Sequence, residues 1–87
     1  MTYSLDIKPK LDEKFKKLIK KNRELYERTM EKAHAIADNP QHYKPLGNVM
    51  TGKRRVHVGS FVLIYSIDET RKAVILLDFE HHDKVYG

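Results

Sequence analysis

The chain lacks the residues on which several kinds of protein depend. Its 87 residues include no cysteine, so a disulfide framework, a thiolate metal site and a cysteine nucleophile are excluded. No glycine-rich phosphate loop and no pair of carboxylates suited to acid–base catalysis is present in the sequence. The longest apolar runs, FVLIY and AVILL, are too short to cross a bilayer, and the N-terminus has no apolar stretch typical of a secretory signal. These absences predict a soluble protein of the cytoplasm with no membrane contact.

Length and charge narrow the possibilities further. A chain of 87 residues provides one domain, spanning 1–87, with a modest hydrophobic core. The 17 lysines and arginines outnumber the 12 aspartates and glutamates, which gives a formal charge of +5. This excess favours a polyanionic partner without selecting between RNA, DNA and an acidic protein.

The first half of the sequence predicts one strand and two helices. Residues 2–7 alternate polar and apolar side chains, as a strand with one buried face does. Apolar residues then recur at helical spacing from Leu11 to Ile19 and again from Leu25 to Ala37. Asn22 lies between the two stripes as a break or an N-cap, and Asn39–Pro40 ends the second. The two helices should therefore form a hairpin.

The segment RRVHVGSFVLIY predicts a β-hairpin whose register follows from its turn. Gly59–Ser60 fits a two-residue turn with glycine at the first central position. That turn pairs the residues on either side in order, from Val58 with Phe61 to Arg54 with Tyr65. One face then carries Val56, Val58, Phe61, Leu63 and Tyr65 and should pack under the helices. The other carries Arg55, His57, Val62 and Ile64.

Two further segments complete the expected architecture. Pro40 to Gly52 reads as a loop that Tyr43 and Leu46 hold against the core. Lys72 to Phe79 is apolar on both sides, as a central strand is. Because two helices cannot cover both faces of the sheet, the far face should be closed by the C-terminal segment, a second copy or, as we favour, a partner.

The predicted fold class is α+β, with an N-terminal strand, a two-helix hairpin and a three-stranded antiparallel meander, and with the helices on one face. This order, followed by a basic and aromatic tail, resembles the RelE/ParE superfamily, the toxins of type II toxin-antitoxin pairs. The resemblance rests on Leu46-Gly47 before the sheet, on the segment RRVHVGSFVLIYSID with its pair Ile64-Tyr65, and on the closing HHDKVY. It implies a sheet like that of microbial RNases.

For RelE-like members the resemblance implies cleavage of messenger RNA on the ribosome by basic side chains and a C-terminal tyrosine. Arg55 and His57 correspond to two outward basic positions of the family, and Tyr86 to the tyrosine that stacks on a base or assists proton transfer. Val62 and His82 stand where many members have arginine. These two departures put catalytic strength in doubt more than the fold.

Cleavage through the 2′-hydroxyl needs a general base, a general acid and a positively charged group that binds the phosphate. An imidazole, with an unperturbed pKa of about 6.5, can fill either proton role. We therefore expect His57 and His82 as general base and acid in an undecided order, Arg55 as the phosphate clamp and Tyr86 as the base-stacking residue. Further RNA contacts are expected from Lys53, Arg54, His81 and Lys84. No metal and no cofactor is expected.

Two other residue groups receive a structural interpretation. His81, His82 and Asp83 do not predict a metal site, because adjacent residues on an extended chain point to opposite sides. Lysines of the first helix are interspersed with acids, which favours a solvated helix face over a nucleic-acid contact. This group consists of Lys14, Lys16, Lys17, Lys20, Lys21 and Arg23.

Two alternatives stay open at this point. ParE-like members share the fold but inhibit DNA gyrase, and the missing arginines favour that activity. A catalytically weak homologue would only bind its antitoxin. In each case the implied partner is a small RelB-like antitoxin, which forms a hetero-oligomer with the toxin by folding around it, and the RNase activity adds the ribosome and mRNA.

Overall fold

The computed structural model describes residues 2–40 and 52–86, with the side chain of Tyr86 excepted. In chain order the elements are β1 (Ser4–Ile7), α1 (Pro9–Lys21), α2 (Arg23–Asp38), β2 (Lys53–Val58), β3 (Phe61–Asp68), β4 (Ala73–His81) and α3 (His82–Tyr86). The predicted α+β order of one strand, two helices and three strands is confirmed. The loop expected to be held by Tyr43 and Leu46, and the Leu46-Gly47 motif, lie outside the described residues.

The four strands form one sheet in the order β1-β4-β3-β2. β2, β3 and β4 make the antiparallel meander, and β1 adds to β4 in parallel. A parallel partner requires a long crossover connection, and the helix hairpin between β1 and β2 begins that crossover. β1 is shorter than predicted, since its pairing starts at Ser4.

The helix boundaries follow from local signals in the sequence. Pro9 occupies the first turn of α1, where its missing N–H costs no hydrogen bond. The side chain of Asn22 accepts a hydrogen bond from the backbone N–H of Leu25 at 3.1 Å, so Asn22 caps α2. Asn39 terminates α2, as predicted.

The β2–β3 hairpin has the register that the turn predicted. All the expected pairs are present, from Val58 with Phe61 to Arg54 with Tyr65. Gly59 has a φ of +61°, a conformation that glycine adopts without the steric cost of a Cβ. A single glycine therefore fixes which side chains of both strands face the helices.

The hydrophobic core lies between the helices and one face of the sheet, called here the covered face. Leu11, Phe15, Ala33 and Ile36 supply the helix side. The sheet side consists of Val56, Val58, Leu63, Tyr65, Val74, Leu76 and Phe79. Phe61 and Tyr26 are half-buried against this core, in agreement with their predicted structural role.

A β-bulge in β4 completes the covered face. Across the irregularity the pairs are Ile64 with Asp78 and Tyr65 with Leu76, which leaves Leu77 as an extra residue. An extra residue reverses the alternation of side chains beyond it. Phe79 therefore joins Val74 and Leu76 in the core, although strict alternation would put it on the opposite face.

The opposite face, called here the open face, is partly closed by the chain itself. Val62 and Ala73 on this face are both 0% exposed. The guanidinium of Arg71 reaches Asp6 on β1 at 2.9 Å and Asp68 on β3 at 3.9 Å, and so links the two strands across β4 between the levels of Ala73 and Ile75. Something other than α1 and α2 was expected to cover this face, and the chain itself covers part of it.

The C-terminal segment differs from the sequence prediction. β4 runs to His81, two residues beyond the predicted end, and the tail then forms the short helix α3. α3 lies against β3 and β4. None of the helices in the described ranges is long and apolar enough to span a bilayer.

Candidate functional site

Three basic or titratable side chains follow one another along the open face of β2. Lys53, Arg55 and His57 alternate with residues of the covered face, so all three share a side of the strand. Arg55 is half-buried and His57 is exposed. The structure thus groups Arg55 with His57 as predicted. Arg54 instead lies on the covered side, opposite Tyr65, and does not join this group.

Val62 occupies the centre of this region on the neighbouring strand. It pairs with His57 on β2 and with Glu80 on β4, and it is 0% exposed. The resemblance to the RelE/ParE superfamily implies that many relatives have an arginine at this position. Full burial shows that the apolar side chain serves packing here, so the position is not an open slot for a missing cation.

The start of α3 is attached to the hairpin turn. The backbone N–H of His82 donates to the carbonyl oxygen of Ser60 at 2.9 Å. His57 precedes the same turn by two residues, so His57 and His82 are both positioned at the turn end of the sheet. The structure brings these two predicted catalytic residues to one end of the molecule. For Tyr86 it describes the backbone, at the end of α3.

The two tail histidines lie side by side, contrary to the sequence prediction. Their ring centroids are 4.6 Å apart with planes inclined by 28°, a stacked arrangement. His81 also meets the ring of Phe61 edge-on at 5.5 Å. The prediction that these side chains point to opposite sides was wrong because the chain passes from strand to helix between them.

Asp83 adds a carboxylate to the histidine pair. Its oxygens lie 3.5 Å from Nδ1 of His81 and 3.2 Å from Nδ1 of His82. One ligand atom from each residue lies within 4.8 Å of the others, so this trio could hold a metal ion. However, the N–H of Asp83 already donates to Nδ1 of His81 at 3.2 Å. A metal-free site stays a prediction.

The remaining tail residue expected to bind RNA is engaged in an ion pair. Nζ of Lys84 lies 3.7 Å from a carboxylate oxygen of Glu80, with the lysine side chain 74% exposed. Such exposed pairs contribute little to stability and open readily. Lys84 therefore keeps its charge at the surface of α3.

Sequence reasoning missed a cleft beside His57. It lies between α2 and the end of β2, and its volume is about 480 Å³. The lining residues are Arg28, Glu31, Lys32, Ala35, His57, Val58 and Gly59. The available signal was the basic pair Arg28 and Lys32, spaced by one helical turn, but only the packing of α2 on β2 places that pair near a histidine of the sheet.

The sequence also predicted the wrong surroundings for the side chain of Lys14. Its Nζ donates to Oδ1 of Asp78 at 2.8 Å, to the carbonyl oxygen of Phe79 at 3.2 Å and to the carboxylate of Glu80. The prediction of a solvated helix face was therefore wrong for Lys14. Lys17, Lys20 and Lys21 make no ion pair among the described residues and fit that prediction.

The Lys14 contacts perturb the titration of both partners. Partial burial works to lower the pKa of Lys14, but hydrogen bonds to Asp78 and Glu80 outweigh it and raise that pKa. Partial burial works to raise the pKa of Asp78, but the bonds from Lys14 and from the N–H of Phe79 leave that pKa lowered. Both side chains are more than 40% exposed, so the effect on stability is modest.

A second depression lies on the other side of the hairpin end. This groove, of about 240 Å³, has an apolar floor and a rim of lysines. The floor is formed by Phe15, Leu18, Phe61 and Phe79, and the rim includes Lys17 and Lys21. The groove differs from the cleft beside His57, whose described lining includes the charged residues Arg28, Glu31 and Lys32 and no aromatic side chain other than the imidazole of His57.

Comparison with known proteins identifies the family. The sequence model described as "ParE toxin of type II toxin-antitoxin system, parDE" matches residues 5–86. An uncharacterised protein of Methanosarcina mazei is 47% identical over 85 residues, which cover 97% of this chain and 99% of the relative. A Methanocaldococcus jannaschii protein described as a candidate toxin, RelE4, is 40% identical over 85 residues, 97% of this chain and 90% of the relative.

Solved structures share the fold at low sequence identity. A mutant of the Escherichia coli toxin RelE in the free state has a TM-score of 0.81 at 16% identity, with 97% of this chain and 87% of that chain covered. The toxin-antitoxin complex RelBE2 of Mycobacterium tuberculosis gives a TM-score of 0.79 at 22% identity, with 93% and 99% covered. The chain belongs to the ParE toxin family of type II toxin-antitoxin systems, within the RelE/ParE superfamily.

Proposed function

We propose that this protein is a ribosome-associated mRNA endonuclease that inhibits translation in the cytoplasm. In this proposal the 2′-hydroxyl of the RNA attacks the neighbouring phosphorus, and the bond to the departing 5′-oxygen breaks. No metal takes part in the reaction. The proposal combines membership of the toxin family with the chemistry of side chains at the turn end of the sheet.

One observation carries the proposal. The hairpin register puts Arg55 and His57 on the same side of β2, roughly 7 Å apart along the strand, while His82 is attached to the turn that follows them. A cation and two imidazoles at one end of a sheet are the groups that phosphodiester cleavage requires. Solved RelE structures share this fold.

Each residue has a proposed role. His57 and His82 transfer the two protons, one accepting from the 2′-hydroxyl and the other donating to the 5′-oxygen. Arg55 binds the phosphate by charge-assisted hydrogen bonds, and Tyr86 stacks on a base. Weaker RNA contacts come from Lys53, Arg54, His81 and Lys84, among which Arg54 acts from the strand edge because it lies on the covered side.

We also propose a small protein antitoxin as the partner. Two similar structures, from Mycobacterium tuberculosis and Pyrococcus horikoshii, are complexes of a RelE-type toxin with a RelB-type antitoxin. A segment that folds on binding can cover apolar surface and neutralise cations together. The half-buried open-face residues Ile64 and Ile75 and the net charge of +5 suit such a segment.

Inhibition of DNA gyrase is the second candidate, and a specific observation favours it. The family model that matches is the ParE model, and Val62 and His82 replace the arginines expected of an RNase. A toxin homologue that binds its antitoxin and lacks catalysis is compatible with the same replacements. A gyrase inhibitor predicts that substitutions of His57 leave growth inhibition intact, whereas a homologue that only binds its antitoxin predicts no growth inhibition by the wild type.

Mapping RNA ends by primer extension in a translating system separates these functions. The RNase proposal predicts cuts at codon-linked positions that His57→Ala, His82→Ala and Tyr86→Ala each suppress. His34→Ala is the matched control, because His34 is an exposed histidine on α2 outside the proposed site. Uncut RNA together with inhibited supercoiling by purified gyrase would show that the protein inhibits gyrase and does not cleave RNA.

A further inference from the structure

The cleft between α2 and the end of β2 has the size of a ligand site and reaches the proposed catalytic histidine. Its volume of about 480 Å³ lies within the range of roughly 300–1,000 Å³ that is usual for small-molecule clefts. His57 belongs both to its lining and to the proposed reactive group. A ligand that extends from His57 across the edge of the sheet would enter this cleft.

The charge of the cleft favours an anion. Arg28 and Lys32 are spaced by four residues on α2, so their side chains share one face of the helix. Neither forms an ion pair among the residues that the structure describes, whereas Arg23 on the first turn of the same helix is paired with Glu27 at 3.3 Å. Glu31 is the one acid among the described residues that line the cleft. The cleft therefore has a net positive charge at neutral pH.

The lining suits a phosphate better than a protein segment. Protein interfaces are anchored mainly by tryptophan, tyrosine and arginine side chains in desolvated pockets, whereas the described lining of this cleft has no tryptophan or tyrosine and its arginine is exposed. Here the apolar lining consists of Ala35, which is small, and Val58, which is only 3% exposed and already belongs to the core. The groove with the Phe15 and Phe61 floor offers larger apolar side chains than this cleft does.

We infer that this cleft binds the phosphodiester backbone of single-stranded RNA at a nucleotide neighbouring the one held at His57. Arg28 and Lys32 hold the phosphate, and Glu31 limits the affinity so that the product can leave. The inference rests on the proposed function for its choice of RNA. It adds residues of α2 to a site otherwise built from β2 and the tail.

Binding can be measured without cleavage by using a short single-stranded RNA in which every 2′-hydroxyl is methylated. Its affinity for the full chain is followed by fluorescence anisotropy over a range of salt concentrations. We expect the double variant Arg28→Ala/Lys32→Ala to bind at least tenfold more weakly at low salt. The slope of log affinity against log salt should become less steep by about 0.7, since one phosphate contact is lost and each such contact on a single strand contributes about 0.7.

The control variant is Lys16→Ala/Lys20→Ala. It removes the same charge from exposed positions of α1 that also have a spacing of four residues, so it reports the effect of net charge alone. Its affinity should fall by less than threefold. Glu31→Gln should bind more tightly than the wild type, because it removes a negative charge from the lining.

Several outcomes would overturn the inference. These are equal losses in the two double variants, no binding by the wild type at low salt, or a cleft variant that loses antitoxin binding while its RNA affinity is unchanged. The last outcome would make the cleft a protein contact. Binding that depends on Arg28 and Lys32 in a protein that cuts no RNA would support the cleft and refute the endonuclease proposal, so the two failures are distinguishable.

Discussion

The covered and open faces of the sheet are built from the same strands but carry different kinds of residues. On the covered face, Leu63 and Tyr65 are fully buried against the helices. On the open face, the adjacent strand β2 carries Arg55, which is half-buried, and His57, which is exposed. Because successive strand residues point to opposite faces, residues that stabilise the fold alternate along the strand with residues of the proposed site. Substitutions at adjacent residues should therefore have different consequences.

The largest effect is expected at His57 on the open face. His57→Ala should lower the rate of RNA cleavage by about 100- to 10,000-fold, because it removes a proton-transfer group. The free energy of unfolding should change by less than about 0.5 kcal/mol, since the side chain is exposed. Cleavage kinetics and urea denaturation of the same preparation measure both quantities. Unchanged cleavage would remove His57 from the mechanism, and a large loss of stability would show that the two faces are not separate.

The next effect belongs to the covered face. Leu63→Ala should destabilise the fold by about 2–5 kcal/mol, because it leaves a cavity in a core of few residues. Ile64→Ala, one residue along on the open face, should cost roughly half as much or less, because Ile64 is only half-buried. Chemical denaturation gives both values. Equal losses would mean that the open face is packed as tightly as the core.

Val62→Arg tests whether the missing family arginine can be restored. Val62 is 0% exposed, so the longer, charged side chain should destabilise the fold by about 1–3 kcal/mol and should not increase cleavage. Ile64→Arg introduces the same side chain at a half-buried position of the same strand and should cost less. A stable Val62→Arg variant that cleaves RNA faster would instead show that Val62 is a lost catalytic position.

A smaller effect concerns the contact between Lys14 and β4. The lowered pKa of Asp78 stabilises the fold above the unfolded value of about 4, and this contribution is lost as pH falls through the folded pKa. The raised pKa of Lys14 stabilises the fold below about 10, and that contribution is lost as pH rises through the folded pKa.

Lys14→Met should therefore flatten the acid limb of the stability curve, with a loss of about 1 kcal/mol or less at neutral pH because the pair is partly exposed. Urea denaturation at a series of pH values measures this. Lys16→Met is the control, since Lys16 has only longer contacts of 3.6 and 3.7 Å with acids of its own helix. Parallel acid limbs for the wild type and Lys14→Met would contradict the assignment.

The smallest expected effect is that of a chelator on RNA cleavage. If cleavage is metal-independent, EDTA should leave its rate unchanged, although His81, His82 and Asp83 form a trio that could hold an ion. Titration with Zn²⁺ would then occupy His82 and inhibit the reaction. A rate that EDTA abolishes and Zn²⁺ restores would show that the metal-free mechanism is wrong.

Local signals explain which parts of the fold could be predicted. The turn at Gly59–Ser60 fixed the hairpin register and so the shared side of Arg55 and His57. Asn22 marked the junction of the helices because its side chain can accept from the backbone N–H three residues later. Both signals act within a few residues, so they can be recognised in a sequence.

Other features depend on contacts between distant segments. The bulge at Leu77 is visible only in the pairing of β4 with β3, and it puts Phe79 in the core. Lys14 finds Asp78 and Glu80 across the gap between α1 and β4. The stacking of His81 on His82 depends on the turn from strand into helix.

The sequence by itself determined the two long helices and the four strands, their order, the hairpin register and the family, but not the short helix α3. Alternation, capping and turn geometry are properties of neighbouring residues, and they persist whatever the rest of the chain does. Only the tertiary structure decided that Val62 is buried, that Lys14 is bound to β4 and that the cleft of Arg28 and Lys32 adjoins His57. Burial and electrostatic contact depend on which surfaces pack together, and the packing of α2 beside β2 joins residues about 25–30 positions apart in the chain.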